Sequence, residues 1–417
     1  MSVNTVIRTL APSEESFTFS TGLYVGYGVE VVGELDLAAL RRALDVASER
    51  YPVLRARLDG DGNGHALIEG DAPTMAVHEA REGEDVLDGL VIAQADAVIS
   101  VYVQRYPNER HVVSVVAHHG IADAHHALAL LGQLWSDYTD LVDGTPLPPH
   151  PTQHYPEPVE QFLTVRGISP GENDATNSSR VGSPAGGSAP DAPAPPATIP
   201  MRRVQLTRAQ TAALMARGRR HGLTVNEQIS AAFVEAAARA NGVSVSQIGY
   251  VYMVDLRHRV PPHAGYTDIT NALGFARFQS VDQSPAAGDL AAQIGASLRA
   301  DLAAGTLQRS PFRAQSVFDD LGPVPTLLTN WGRIPALRTP NTLTVTGFHP
   351  RFHVEFSAEG MQSPPNASFA MFELLRTMQA GVIFWFDDRL SIDLIAAGPM
   401  IEPLAVRLAA VLDETLS

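Results

Sequence analysis

One stretch of biased composition constrains the architecture of this chain more than any other feature. Residues 166–200 are rich in Pro, Gly, Ser and Ala and contain almost nothing apolar to bury. Such a segment cannot offset the entropy cost of ordering, so it predicts a flexible linker. The linker divides the 417 residues into an N-terminal part (1–165) and a C-terminal part (201–417), and 45% hydrophobic residues suffice for a core in each.

Each part mixes helical and strand patterns. In the N-terminal part, Leu37, Leu40 and Leu44 recur at helical spacing behind an Asp36 N-cap, and residues 112–117 form a β-branched run typical of a buried strand. In the C-terminal part, the patterns predict a strand from Arg203 and a helix capped by Thr207. A second helix begins with a Thr224/Glu227 capping box and ends at Gly242. A strand over 249–256 and a hairpin over 381–394 follow. The fold class is therefore α/β with mixed, α+β-type sheets.

The composition excludes several kinds of chemistry. A formal net charge of −15 disfavours contact with phosphate backbones, so we expect no nucleic-acid partner. The absence of cysteine excludes disulfides, thiolate nucleophiles and thiolate metal sites. All 30 basic residues are Arg, which excludes a lysine Schiff base and a phosphate-loop lysine. With no apolar run of membrane-spanning length and no secretory pattern, we expect a cytoplasmic protein without a membrane span.

The segment with the most chemistry is HHGIADAHH at residues 118–126, between a predicted strand and a predicted helix. A neutral His119 at a strand end could accept the proton of a hydroxyl that attacks a thioester. A metal site is disfavoured, because adjacent histidines on a strand point to opposite faces and the spacing matches no common ligand pattern. In a structural interpretation Asp123 is a helix N-cap, His118 packs or forms hydrogen bonds, and His125 and His126 lie partly solvated on the first helical turn. The residues alone leave these interpretations open.

The segment His118–Ala124 resembles the HHxxxDG motif of the condensation-domain superfamily, which includes chloramphenicol acetyltransferase. The likeness is strongest to the polyketide-associated (Pap) acyltransferases. Further elements of that family occur in the expected order: YPVL at 51–54, HHALALLGQLWSDYTDLV at 125–142, VYMVDLR at 251–257, NALG at 271–274 and TNWG at 329–332.

This resemblance implies two chloramphenicol acetyltransferase-like domains with a central tunnel at their interface. It also implies that a segment of the C-terminal part extends the N-terminal sheet. His119 would be the general base, and Asp123 would be structural and paired with Arg257. No cofactor would be bound permanently, because acyl-CoA or an acyl carrier protein supplies the acyl group. The Pap relatives suggest a monomer.

One position departs from the family motif, because Ala124 replaces its final Gly. The backbone N–H groups of Gly120 and Ala124 could still stabilise an oxyanion, but an Ala tolerates positive φ poorly. If the family glycine serves that geometry, the loop differs here.

Other residues are candidates for substrate contacts. Asn330 and Trp331 could line the acceptor channel, although Trp331 also suits simple packing. A local basic patch could meet the phosphates of coenzyme A or an acidic carrier protein, or could be solvated surface. Its members are Arg202, Arg203, Arg217, Arg219 and Arg220.

The combined expectation is an O-acyltransferase that moves an acyl group from acyl-CoA or an acyl carrier protein to a hydroxyl of a polyketide-type natural product. An amide-forming condensation-type enzyme and a noncatalytic docking module of the same fold are the alternatives.

Overall fold

The computed structural model describes residues 5–18, 22–60, 64–71, 73–84, 92–171, 201–313, 321–354, 377–396 and 398–416. The strands in these ranges are β1 (Val6–Thr9), β2 (Leu23–Gly33), β3 (Ala56–Gly60), β4 (His65–Glu69), β5 (Thr74–Glu79), β6 (Ile99–Tyr106), β7 (Arg110–His118), β8 (Met201–Gln205), β9 (Ile248–Asp255), β10 (Leu273–Phe278), β11 (Val324–Arg333), β12 (Leu343–Val354), β13 (Gln379–Phe386) and β14 (Arg389–Ile395). The α-helices are α1 (Pro12–Glu15), α2 (Leu37–Arg50), α3 (Ala124–Val142), α4 (Val159–Thr164), α5 (Arg208–His221), α6 (Val225–Asn241), α7 (Ala287–Ala303), α8 (Thr306–Arg309) and α9 (Ile401–Leu416).

The N-terminal part is built on a five-stranded sheet in the order β12-β2-β7-β6-β5. Its pairs are antiparallel except for β5 and β6, which run parallel. Helices α2 and α3 pack together, and α3 contacts strands β2 and β7. A small antiparallel sheet, β1-β4-β3, lies in the same part.

The C-terminal part is built on a six-stranded sheet in the order β10-β9-β11-β13-β14-β8. Strand β11 is parallel to both β9 and β13, whereas the remaining pairs are antiparallel. Helix α6 packs against both α7 and α9, and all three helices contact this sheet. Both large sheets combine parallel and antiparallel strands, so the predicted fold class is confirmed.

Several local predictions are confirmed by the helix ends. Asp36 accepts hydrogen bonds from the first turn of α2, and Thr207 caps α5. Thr224 forms a reciprocal capping box with Glu227, and α6 ends at Gly242 with a φ of 66°. The predicted hairpin is formed by β13 and β14 in antiparallel pairing.

The two parts share strands and core. Strand β12 lies beyond the predicted linker in sequence but pairs with β2 along its length, which confirms that a C-terminal segment extends the N-terminal sheet. One apolar cluster contains Tyr27 and Val115 together with Phe275, Leu327 and Val382, so it draws on both parts.

The predicted linker falls mostly on residues 172–200, which lie outside the described residues, and the domain boundaries stay a prediction. At its start, Arg166 donates to the Pro262 carbonyl oxygen at 2.8 Å. No helix in the part of the chain that the structure describes is long and apolar enough to cross a membrane.

Candidate functional site

The two motif histidines lie at the end of β7 and their rings have different surroundings. His118 is the last residue of the strand and is fully buried, whereas His119 begins the turn and lines a cavity. The turn is tight, because Ile121 and Ala122 both donate their backbone N–H to the His118 carbonyl. The His119 N–H donates to the Leu23 carbonyl oxygen at 2.7 Å and so ties this turn to β2. We call residues 118–124 the histidine loop.

His118 belongs to a hydrogen-bonded chain that leads away from the cavity. Its Nδ1 accepts from the backbone N–H of Gly120 at 3.3 Å, so its Nε2 carries the proton that the Gln94 Oε1 accepts at 3.0 Å. The Gln94 amide lies 3.4 Å from His65 Nε2, and His65 Nδ1 lies 2.9 Å from Glu15. Burial lowers the pKa of His118 to about 3, so this ring stays neutral and holds the loop.

His119 has the geometry of a base whose reactive nitrogen is left free. Its Nδ1 lies 3.4 Å from the Ala122 carbonyl oxygen, which can only accept, and also 3.4 Å from Asn271 Nδ2, which donates to the His119 carbonyl at 3.1 Å. Because the Asn271 amide has this shorter acceptor, we assign the proton to Nδ1 and the lone pair to Nε2. Burial lowers the pKa of His119 from its ordinary value, which keeps the imidazole neutral at pH 7. The ring of Phe17 lies against it with a centroid separation of 4.6 Å.

Asp123 joins the histidine loop to the C-terminal part. One carboxylate oxygen caps α3 by accepting from the His126 N–H at 3.0 Å. The other accepts from the Arg257 guanidinium at 2.7 Å and from the Ala272 N–H at 3.0 Å. Burial alone would raise the pKa of Asp123, but the charge and hydrogen bonds of Arg257 outweigh it and hold the pKa at about 2. Asp123 is therefore a fixed anion with its oxygens occupied.

The two histidines on the first turn of α3 differ from each other. His125 lines the cavity, and its Nδ1 lies 3.3 Å from an Asp255 oxygen. The expectation of partial solvation is wrong for His126, which is fully buried. Its Nδ1 lies 3.2 Å from the Ile269 carbonyl oxygen, because this side of α3 packs against the C-terminal part.

The backbone of the loop explains which substitutions it accepts. A Cβ on Gly120 would lie 2.6 Å from the Glu14 carbonyl oxygen, so this close approach requires glycine. The Gly120 N–H is used by His118 and is not left over for an oxyanion. Ala124 is the first residue of α3 and is not among the residues with positive φ, so the Ala in place of the motif Gly carries no backbone strain.

The cavity has a volume of about 150 Å³ and is lined by both parts of the chain. His119, His125, Asp255, Asn271 and Asn330 contribute polar atoms to it. Most of the remaining lining is apolar and includes Leu23, Val25, Phe275, Leu327, Ala380 and Val382. A mainly apolar space beside a neutral imidazole suits an aliphatic substrate. A tunnel through the interface stays a prediction.

Both residues predicted for the channel line this cavity, and both also serve the fold. Trp331 packs edge-on against Tyr27 at 4.6 Å between ring centroids. Asn330 donates to Asn226 at 3.1 Å and accepts from the Gly332 N–H at 2.8 Å.

The basic residues considered for phosphate binding do not line the cavity. Arg202 pairs with Glu402, Arg203 pairs with Asp393, and Arg217 donates to Gln228. Among the described residues, no three His, Asp or Glu side chains are grouped so that they could hold a metal ion.

Comparison with known proteins identifies the family. Residues 195–395 match the family model described as the phthiocerol/phthiodiolone dimycocerosyl transferase C-terminus. The phthiocerol/phthiodiolone dimycocerosyl transferase of Mycobacterium ulcerans is 31% identical over 367 residues. The match covers 84% of this chain and 86% of that protein. The Mycobacterium leprae protein of the same name is 32% identical, over 86% of this chain and 88% of its own.

The chain belongs to the polyketide-associated (Pap) acyltransferase family. The solved structure of polyketide synthase associated protein 5 from Mycobacterium tuberculosis has a TM-score of 0.77 at 26% identity and covers 99% of this chain and 100% of its own. The first condensation domain of the CDA synthetase has a TM-score of 0.64 at 16% identity. The match covers 99% of this chain and 98% of that domain, and it shows the fold alone. The predicted Pap resemblance, superfamily fold and acyltransferase class are confirmed.

The structure also identifies site residues of this Pap acyltransferase that sequence analysis missed. Phe17 covers His119, Gln94 holds His118, and Asn271 contacts His119 from the C-terminal part. The NALG element contains Asn271, but nothing in the sequence assigned it a contact across 152 residues.

Proposed function

We propose that this chain is an O-acyltransferase in which His119 is the general base. It transfers an acyl group from acyl-CoA or an acyl carrier protein to a hydroxyl of a polyketide-type acceptor. The observation that carries the proposal is the His119 ring at the cavity, with its Nδ1 proton directed to the Ala122 carbonyl. That arrangement leaves the Nε2 lone pair for a substrate proton.

In the reaction, Nε2 accepts the hydroxyl proton as the oxygen attacks the thioester carbon. The C–O bond forms, and the carbonyl becomes a tetrahedral oxyanion. Its collapse breaks the C–S bond, and the imidazolium returns the proton to the departing sulfur. An alcohol and a thioester are thus converted to an ester and a thiol without a covalent enzyme intermediate.

We infer that the oxyanion develops at the N-terminus of α3. Ala124 and His125 are the first two residues of this 19-residue helix, and their N–H groups have no intrahelical acceptor. Both residues line the cavity. The positive end of the helix dipole adds to their effect on a developing negative charge. Ala124 supplies the same N–H as the motif glycine, so the substitution is compatible with catalysis.

The relatives narrow the chemical class of the substrates. The two mycobacterial proteins are named for phthiocerol or phthiodiolone and for the dimycocerosyl group. For this chain we infer an aliphatic acyl donor and a hydroxyl acceptor of polyketide type. The apolar lining around Phe275, Leu327 and Val382 supports an aliphatic group on at least one substrate.

The experiment measures thiol release from acyl-CoAs, from acetyl to palmitoyl, with an alcohol acceptor. We expect His119→Ala to lose ~10²–10⁴-fold in rate, because positioned bases contribute that much. His221→Ala is the matched control, since His221 is exposed at the end of α5 and does not line the cavity. Thermal unfolding of all three proteins separates lost chemistry from lost folding.

The other outcomes of this experiment would contradict the proposal in different ways. Equal thiol release by wild type and His119→Ala would show that His119 is not the base. Faster product formation with an amine than with an alcohol would favour the amide-forming alternative. If the folded wild type releases no thiol from coenzyme A thioesters or from an acyl carrier protein, the docking-module alternative replaces the proposal.

A further inference from the structure

Four consecutive residues of the C-terminal part contact the histidine loop, its helix or the Arg257 that pairs with the loop. We call Ile269–Ala272 the brace segment. The Ile269 carbonyl lies 3.2 Å from His126 Nδ1, and the Thr270 carbonyl accepts from Arg257 at 3.2 Å. The Ala272 N–H donates to Asp123 at 3.0 Å. These three contacts use backbone atoms, so many residue types could make them. The contact of Asn271 uses its side chain and therefore depends on the amino acid.

Asn271 contacts the proposed base at two points. Its Nδ2 donates to the His119 carbonyl oxygen at 3.1 Å and lies 3.4 Å from His119 Nδ1. The side chain is only 7% exposed and lines the same cavity as the imidazole. A residue from the opposite part of the chain thus holds the backbone of His119 and lies beside its ring.

Packing alone gives a poor account of an asparagine at this position. Its buried Oδ1 has no hydrogen-bond partner among the residues that the structure describes. An unsatisfied buried polar atom costs roughly 1–3 kcal/mol, and an apolar side chain of similar size would avoid that cost. The asparagine is therefore better explained by its contact with His119 than by its contribution to stability.

We propose that Asn271 is a positioning residue for acyl transfer, which fixes the His119 backbone from across the interface between the two parts. This inference rests on the proposed role of His119 as the base. The amide N–H groups keep the peptide after His119 in place, while the Ala122 carbonyl holds the Nδ1 proton. Nε2 then faces the cavity in one orientation, and a shift of about 1 Å in such a group can cost ~100-fold in rate.

The charges around His119 make an Asn271→Asp substitution informative. Asp123 is neutralised by Arg257, and His125 is paired with Asp255 on the cavity wall. His118 is neutral on the far side of the loop. The substitution would place a new carboxylate where the Asn271 amide now lies, 3.4 Å from Nδ1 of His119. An opposite charge within 4–6 Å favours the imidazolium and raises its pKa by roughly 1–3 units.

The test compares Asn271→Ala and Asn271→Asp with wild type in kcat, KM and the pH profile of kcat/KM. We expect Asn271→Ala to lower kcat by ~10- to 100-fold through misplacement of the base, with little change in KM for the thioester. We expect Asn271→Asp to move the acidic limb of the profile upward by about one pH unit or more. Asn330→Asp is the matched control, because it adds the same charge to the same cavity at an amide that holds Asn226.

The inference is overturned if Asn271→Ala keeps the wild-type kcat, if the acidic limb of Asn271→Asp does not move, or if Asn330→Asp moves it equally. For a variant without turnover, NMR titration of the His119 ring gives the same shift independently of activity. The two proposals fail differently. If His119→Ala keeps full activity, His119 is not the base and both proposals fail. If His119→Ala is inactive but the Asn271 variants keep wild-type activity, only the positioning role of Asn271 is contradicted.

Discussion

The two sides of the cavity contribute residues with different roles. The N-terminal side supplies the imidazole of His119, the proposed base, at the end of a buried strand. The C-terminal side supplies Arg257, the brace segment and most of the apolar wall. The proposed base and the groups that hold it thus belong to different parts of the sequence. In the proposed mechanism, catalysis depends on contacts between the parts as much as on either part alone.

The largest expected effect comes from breaking the buried link between the two sides. Arg257→Ala leaves the Asp123 carboxylate without its cation in a fully buried site. Removal of one partner of such a pair costs about 3–5 kcal/mol of unfolding free energy. Urea unfolding measures the loss. Arg333→Ala is the control, because its pair with Asp388 has a similar length of 2.8 Å but is 62% and 71% exposed, and we expect a loss below about 1 kcal/mol. Equal losses would contradict the structural role of the link.

A smaller effect concerns the pH dependence of the base itself. Burial lowers the pKa of His119 below its ordinary value of 6.5, and in the proposed mechanism the neutral ring is the active form. Activity should therefore persist as pH falls through 6.5 and decline only below it. The measurement is kcat/KM against pH for the wild type, with thermal unfolding at each pH to exclude acid denaturation. A half-maximal point at or above pH 6.5 would show that the interface does not desolvate this ring.

The smallest expected effect tests the departure from the family motif. Ala124→Gly restores the motif residue at the first position of α3, where φ is not positive. We expect at most about 1 kcal/mol of destabilisation, from the lower helix propensity of glycine, and a rate within about threefold of wild type. Thermal unfolding and thiol release measure the two quantities. A rise in rate of tenfold or more would mean that the motif glycine has a catalytic advantage that its backbone conformation does not explain.

Local features of this fold could be predicted because neighbouring residues determine them. The Asp36 cap, the Thr224 capping box and the strand that ends at His118 each depend on a few adjacent side chains. His119 could be singled out for the same reason, since its strand, turn and helix are continuous in sequence. Its assignment as the base needed the family resemblance, because chemistry alone also allowed a structural role.

Contacts between distant segments could not be predicted in the same way. His126 looks like a solvated residue of a first helical turn, yet the Ile269 carbonyl, 143 residues away, covers its ring. Asn271 reaches His119 only after β10 and the histidine loop are brought together, and periodicity does not encode that approach. The ion pairs of Arg202 and Arg203 could not be predicted for a related reason, because their partners Glu402 and Asp393 come from remote segments. The phosphate-binding role of the basic patch stays a prediction.

The position of β12 also bears on how the protein is made. Gly33 of β2 pairs with Leu343, so the N-terminal sheet exposes an unpaired strand edge until that residue has been synthesised. At about 5–20 residues per second, the intervening chain takes on the order of 15–60 s to emerge. During that time the apolar β2 strand is a template for wrong pairing with another nascent chain. Expression yield should therefore depend on chaperones and on translation rate, and truncation before β12 should give aggregation rather than a stable half-enzyme.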